Sequence, residues 1–262
     1  MTTRPVLSVV LITLNEEKNI ARTLRALRFQ GGVFSKVEVL VVDAKSEDAT
    51  ARIARSLGAK VLVRPWKGYS DQKNWAFSRC CGDWVLSLDA DEVVTPALVA
   101  EIERTLSAAP AETSGYFLKR RAFFLGKWIR HCGWWPDEQL RLFRKGRGRF
   151  NAQPVHEALE VAGKTKTLRE PLDHFTYDSI GAYLQKMDRY SDLAVGALGP
   201  GDRKVASWRS NLLTRPFLTF LKMYVLKLGF LDGWHGFVLC SLSAFHDLAK
   251  YAKLWEKHVL GR

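Results

Sequence analysis

The sequence predicts an α/β protein: a mostly parallel sheet with helices on both faces, followed by a helical appendage at the carboxyl end. Three observations carry this expectation. Val6 to Thr13 is a continuously apolar, β-branched run, the composition of a strand buried on both faces. Strand-like runs then alternate with segments of helical period through short loops, as parallel strands require. From Ser179 onward the pattern is helical.

Taken in order, Asn15 is placed to cap the first helix, with Glu16 and Glu17 in its first turn and Ile20, Leu24 and Leu27 as its inward stripe. Glu38 to Val42 is the second strand and ends at Asp43. Ser46-Glu47-Asp48 starts a helix that runs through Ile53 and Leu57 and closes at Gly58. Val61 to Val63 is a short third strand, Ser70 to Arg79 a helix, and Trp84 to Leu88 a fourth strand ending in Asp89-Ala90-Asp91-Glu92. Thr95-Pro96 supplies a cap and a first-turn proline for a helix that turns Leu98, Ile102 and Leu106 inward. Beyond Ala108 the character changes. Tyr116 to Leu118 and Leu140 to Phe143 read as strands around an aromatic and basic loop. Tyr183, Met187, Tyr190 and Leu193 then fall at helical spacing, Arg215-Pro216 opens a helix over Phe217 to Leu228, and Trp234 to Trp255 is another. The expected partition is an α/β domain over residues 1–175 and a helical region over 176–262.

With 262 residues the chain is long enough for a sizeable core. Its 47% apolar and 26% charged content argues against a disordered, collagenous or disulfide-scaffold protein. The four cysteines show no metal-knuckle spacing, which suits a reducing cytosol. The first apolar run leads into Asn15-Glu16-Glu17 with no cleavage site, so it reads as a strand. The longest late uncharged stretch, Gly233 to His246, has fourteen residues, short of the roughly 20 that cross a bilayer. A cytoplasmic chain is the expectation. Its formal charge of +13 calls for a polyanionic partner: nucleic acid, an anionic lipid surface or a phosphate-bearing substrate.

In an open parallel sheet, ligands collect beyond the carboxyl ends of the strands. Asp43 stands there as a ligand contact or, equally, as a helix cap. Asp89-Ala90-Asp91 can hold a hard divalent cation, Mg²⁺ or Mn²⁺, from one side while leaving positions for water or phosphate. The competing reading is a solvated acidic turn that caps the Thr95 helix. A dinucleotide fold is excluded by the glycines, since no Gly-x-Gly-x-x-Gly follows the first strand, and the Walker pattern is missing too.

Val9-Val10-Leu11-Ile12-Thr13-Leu14-Asn15-Glu16, the Val41-Val42-Asp43 strand end and Leu88-Asp89-Ala90-Asp91-Glu92 resemble family-2 glycosyltransferases of the GT-A fold. Asp71-Gln72-Lys73-Asn74-Trp75-Ala76, the segment Pro136 to Arg144 and Val155-His156-Glu157 are similar to the WaaE subgroup of lipopolysaccharide core heptose β-1,4-glucosyltransferases. The likeness continues through Asp232-Gly233 and Leu248 to Lys253, so it covers nearly the whole chain.

The resemblance implies an inverting transfer of a hexose, glucose first, from a UDP-sugar to a phosphorylated saccharide such as a heptose of the lipopolysaccharide inner core. It implies that Asp43 contacts the nucleobase, that Asp89 lies near the ribose and metal-bound waters, and that Asp91 is the direct metal ligand. Thr13, Asn15 and Glu16 would line the nucleotide pocket, and Lys73 and Asn74 would face the donor. Such a transfer needs a general base for the acceptor hydroxyl. Asp137, which matches the family's usual acidic position, is preferred over Glu138, which replaces a commoner aromatic. The alternative for either is a salt bridge to Arg141 or Arg144. His156 would reach the metal or the diphosphate, with Glu157 orienting it; for His174 a structural hydrogen bond is the better reading.

Ten Lys and Arg between Lys119 and Arg149 bracket this region together with Trp128, Trp134 and Trp135, a setting for acceptor phosphates and sugar rings. Nucleic acid is the poorer partner, because Asp89, Asp91 and Asp137 would repel a polyanion. The apolar run from Phe217 to Leu228, broken by Lys222 and Lys227, suits an anionic membrane surface on the cytoplasmic face of the inner membrane. The same residues would also serve to dock the appendage on the α/β domain or on a second subunit. The alternatives are a glycosyltransferase acting on another lipid-linked saccharide with a different donor sugar and, less favoured, a nucleotidyltransferase or a non-catalytic basic RNA- or membrane-binding module.

Overall fold

The structure is a computed structural model and describes residues 4–29, 32–151, 158–196, 198 and 208–260. The amino-terminal part alternates as the sequence indicates. Strand β1 (Val6–Thr13) leads to α1 (Ile20–Ala26), β2 (Lys36–Asp43) to α2 (Thr50–Ser56), and β3 (Lys60–Val63) to α3 (Tyr69–Arg79). Strands β4 (Trp84–Asp89) and β5 (Glu92–Val94) then precede α4 (Pro96–Ser107). Thr95 caps α4 through its hydroxyl, which accepts from the Leu98 N–H at 3.1 Å.

Six further strands follow: β6 (Thr113–Phe124), β7 (Lys127–Trp128), β8 (Asp137–Arg144), β9 (Gly148–Phe150), β10 (Leu159–Val161) and β11 (Lys164–Tyr177). The main sheet runs β3-β2-β1-β4-β8-β6-β11-β5, with β7 paired to β6, and β9 and β10 form a separate ribbon. Pairs β3–β2, β2–β1 and β1–β4 are parallel, whereas β8 joins β4 and β6 in antiparallel register. The parallel strands are apolar on both faces because both faces are covered. Leu7, Val9 and Leu11 of β1 pack with Ile20, Leu24, Leu98 and Ile102, and Val10 and Ile12 pack with Ala76 and Phe77 of α3.

Two compact units result. The first is built from the described residues of 1–120 and 137–174, the second from those of 121–136 and 175–262. The second unit contains α5 (Ile180–Gly196), α6 (Trp208–Leu221) and α7 (Gly233–Val259) around a core of Phe124, Ile129, Cys132, Tyr183, Met187, Leu239 and Cys240. Helix α6 corrects the sequence reading. It starts at Trp208 and carries Pro216 within it, then continues as a π-helical turn over Lys222–Leu226. Proline removes one backbone donor from a helix; here that donor is lost mid-helix rather than at a first turn.

The chain then turns sharply between α6 and α7. Leu228 takes the left-handed conformation at φ 54°, a short 3₁₀ turn covers Gly229–Asp232, and α7 sets off in a new direction. Glycine is required at this corner: a Cβ on Gly236 would collide with the carbonyl of Gly229. Asp232 ties the corner to the 121–136 segment. Its carboxylate accepts from the N–H groups of His131 (2.8 Å) and Arg130 (3.3 Å), and its carbonyl accepts from Lys127 Nζ (2.7 Å).

Candidate active site

The parallel register brings the expected residues to one edge of the sheet. Thr13 stands beside Asp43, and Ile12 beside Asp89, at the carboxyl ends of β1, β2 and β4. Asp43 is buried, and its oxygens are engaged locally. Thr13 Oγ1 donates to Oδ2 at 2.9 Å, the Ser46 N–H to Oδ1 at 2.8 Å and the Ser46 hydroxyl to Oδ2 at 2.6 Å. Asp43 therefore holds the turn to Ser46 and does not cap α2, whose N-cap position is Ala49.

Asn15 does not cap α1, which begins only at Ile20. Its backbone is left-handed at φ 55°, a conformation that asparagine tolerates better than most residues, and this turns residues 14–19 away from helix. Asn15 instead ties two loops together. Its N–H donates to the Ser46 hydroxyl at 2.9 Å, and its side-chain carbonyl accepts from the Glu47 N–H at 2.9 Å. The Glu16 N–H donates to Thr50 Oγ1 at 2.7 Å, and the Glu16 carboxylate accepts from the Asn19 amide at 2.9 Å.

Beyond β4 lies a chain of ion pairs. Asp89 receives Lys73 Nζ on one oxygen at 2.7 Å and Arg141 Nη2 on the other at 2.6 Å. Arg141 also bonds Glu92, which is fully buried, and the second Glu92 oxygen accepts from the Asp89 N–H at 2.9 Å. Arg120 extends the chain, reaching Glu92 at 3.3 Å and Asp137 at 2.6 Å. Gln139 donates to the other Asp137 oxygen at 2.7 Å. Burial by itself would raise the Asp89 carboxyl, but the charges and hydrogen bonds of Arg141 and Lys73 overcome it and hold the group well below the usual carboxylate range. Burial likewise opposes the charge on Arg141, and Asp89 and Glu92 hold its proton more firmly than normal.

Asp91 sits two residues on, with one carboxylate oxygen 3.3 Å from His174 Nε2. The turn that carries it is pinned by Thr23, whose hydroxyl donates to the Ala90 carbonyl at 2.6 Å. Asp91 and His174 offer a carboxylate and an imidazole, donor types whose chemistry suits a divalent cation. Among the described residues no group of three or more His, Cys, Asp and Glu side chains is placed to hold a metal. His156 and Glu157 lie outside the described residues.

The remaining expectations separate. Asp137 enters the ion-pair chain, and its salt bridge is to Arg120 rather than to Arg141 or Arg144. Glu138 is exposed, on the opposite face of β8 and across from Lys119. Lys73 faces Asp89, whereas the Asn74 amide is bonded to the Phe150 backbone in both directions, at 2.9 and 2.8 Å. Sequence reasoning did not find Arg120, Arg141 or Glu92 as site residues. The signal available was the run of charge at alternate positions, Asp137, Gln139 and Arg141, on one face of β8.

The chain is similar to known glycosyltransferases along almost its full length. A glycosyltransferase of Rickettsia typhi is 31% identical over 98% of this chain and 89% of its own. The lipopolysaccharide core biosynthesis glycosyltransferase LpsC of Rhizobium meliloti is 29% identical over 97% of this chain and 93% of its own. Among solved structures, the mannosyltransferase PcManGT of Pyrobaculum calidifontis, in complex with GDP-Man and Mn²⁺, shares the fold with a TM-score of 0.57 at 16% identity, over 98% of this chain and 89% of its own. Residues 8–159, which include the carboxyl ends of β1, β2 and β4, match the family model for glycosyl transferase family 2. With a GT-A-like sheet and acidic residues at its carboxyl edge, this chain belongs to glycosyl transferase family 2.

Proposed function

We propose that the protein transfers a hexose, most simply glucose, from a UDP-sugar to a heptose of the lipopolysaccharide inner core, with inversion at the anomeric carbon. The observation that supports this reading best is that Asp89 and Asp137 are joined through Arg141, Glu92 and Arg120 at one edge of the sheet, with Asp91 two residues beyond Asp89. The likeness to LpsC supports the class of acceptor.

In this reading Asp91, with His174, holds a divalent cation. When bound, such a cation neutralises the diphosphate and stabilises the charge that develops as it leaves. Lys73 and Arg141 fix Asp89 beside that position. The acceptor hydroxyl oxygen attacks the anomeric carbon from the face opposite the diphosphate, the carbon–oxygen bond to the phosphate breaks, and Asp137 takes the hydroxyl proton. Arg120 and Gln139 orient the Asp137 carboxylate for that step. The nucleotide lies over Thr13, Asn15 and Glu16 with its base toward Asp43, on the cytoplasmic side of the membrane that carries the acceptor.

Calorimetric titration with UDP, GDP, ADP and CMP, each with Mn²⁺ and with EDTA, tests the donor assignment. The expected result is metal-dependent binding of UDP that Asp91→Asn abolishes. Equal UDP affinity in the wild type and Asp91→Asn would remove the metal from Asp91, and preference for GDP would replace the donor.

A further inference from the structure

The corner between α6 and α7 presents a surface that the transfer chemistry does not use. From Trp208 to Leu231 the chain carries Arg209, Arg215, Lys222 and Lys227 and no acidic residue. All four basic residues are exposed. Between them Phe217, Leu226, Leu228, Phe230 and Leu231 are exposed as well, Leu226 to 72%, and Trp234 follows at 80%. An exposed apolar cluster of this size, rimmed by one sign of charge, marks an interaction site.

The partner must offer an apolar layer beneath an anionic one. Among the described residues no single helix is long and apolar enough to cross a membrane; Arg209–Leu226 and Gly229–Val259 meet that test only as a pair, bent by 72°. Such a bend suits a segment that enters one leaflet and returns. The corner is also built in advance of any partner. Gly229 and Gly236 allow its backbones to close, and Asp232 clamps it through the Arg130 and His131 N–H groups. A hollow of about 420 Å³ opens on it, lined by Tyr224, Gly233, Trp234 and Phe237.

We propose that this corner docks on an anionic phospholipid surface, with Leu226 and Trp234 entering the acyl boundary and Lys222 and Lys227 at the headgroups. Tryptophan and lysine take these depths because each pairs an apolar body with a polar end. Juxtaposed basic residues add attraction to anionic lipid that salt screens. The proposal is independent of which sugar is moved and to what.

Flotation of the full chain with phosphatidylcholine vesicles, with and without phosphatidylglycerol, tests it. The wild type is expected to float with the anionic vesicles and to be released by salt. L226D/W234D is expected to lose at least about tenfold in partitioning at an unchanged melting temperature, since both side chains are exposed. K222E/K227E is expected to lose the preference for phosphatidylglycerol by about tenfold. Equal flotation of wild type and L226D/W234D, or no flotation of the wild type with anionic vesicles, would overturn the proposal. A lipid-free dimer in sedimentation velocity that L226D/W234D dissociates would assign the corner to a second copy of the chain instead.

Discussion

Replacing Arg141 by methionine tests the ion-pair chain directly. The Arg141 side chain is 6% exposed and its partner Glu92 is fully buried, so the substitution leaves a buried carboxylate with the Asp89 N–H at 2.9 Å and, as its cation, Arg120 at 3.3 Å. Removing one member of a buried pair costs about 3–5 kcal/mol, most of it the uncompensated charge left behind. Asp89, whose side chain is 33% exposed and keeps Lys73, adds less. A loss of that size lowers the melting temperature by roughly 6–20 °C for a chain of this length. The pH dependence has a definite sign. In the wild type the Asp89 carboxyl is depressed, so its contribution is present above the unfolded value near ~3.9 and is lost as pH falls through the folded one. In Arg141→Met burial remains while the strongest opposing charge is gone, so the folded pKa rises. Asp89's share of the deficit against wild type therefore narrows as pH falls from about pH 5 to about pH 2, where the wild type loses the same contribution. Calorimetric melting of both proteins across that range is the assay. A loss below about 1 kcal/mol, or a deficit that does not change with pH, would refute the reasoning.

Two further substitutions separate chemistry from folding. Asp137→Asn is expected to retain UDP binding by titration while turnover drops about 10²–10⁴-fold, the usual contribution of a positioned base; unchanged turnover would move that role elsewhere. Gly236→Ala is expected to destabilise the second unit by about 1–3 kcal/mol in denaturant unfolding, because the added methyl meets the Gly229 carbonyl and the helix must shift.

Local pattern was enough for the parallel half of the fold. Continuous, β-branched apolar runs such as Val6–Thr13 read as strands covered on both sides, and the acidic residues where such strands stop fall at the carboxyl edge of the sheet. That logic brought Asp43, Asp89 and Asp91 into view from the chain alone. The pairing of β8 with β4 has no local signature, since it joins residues more than fifty positions apart, and its pairing with β6 spans 17 to 28 positions. Arg141 and Arg120 therefore read as members of a basic surface, although one is buried and the other nearly so. Glu92 read as the tail of an acidic turn, although it is the most enclosed carboxylate of the group. Asn15 misled for a different reason: the same short polar side chain that caps helices also tolerates left-handed backbone, and only the distant Ser46 and Glu47 decide between the two. Pro216 is similar, because a proline that suits a first turn is also carried inside a helix whose flanks are packed.

Lys73, Arg141 and Arg120 bring three positive charges to the carboxyl edge of the sheet, and Asp89, Glu92 and Asp137 bring three negative ones. The six residues sum to zero. A nucleoside diphosphate entering alone would have to take a cation from a carboxylate already bound to it and leave that carboxylate bare. Entering together with a divalent cation, it arrives close to neutral and leaves every pair intact. The chain's +13 lies wholly outside these six residues, so the attraction that gathers anions around the protein is separated from the neutral ion-pair chain at the sheet edge.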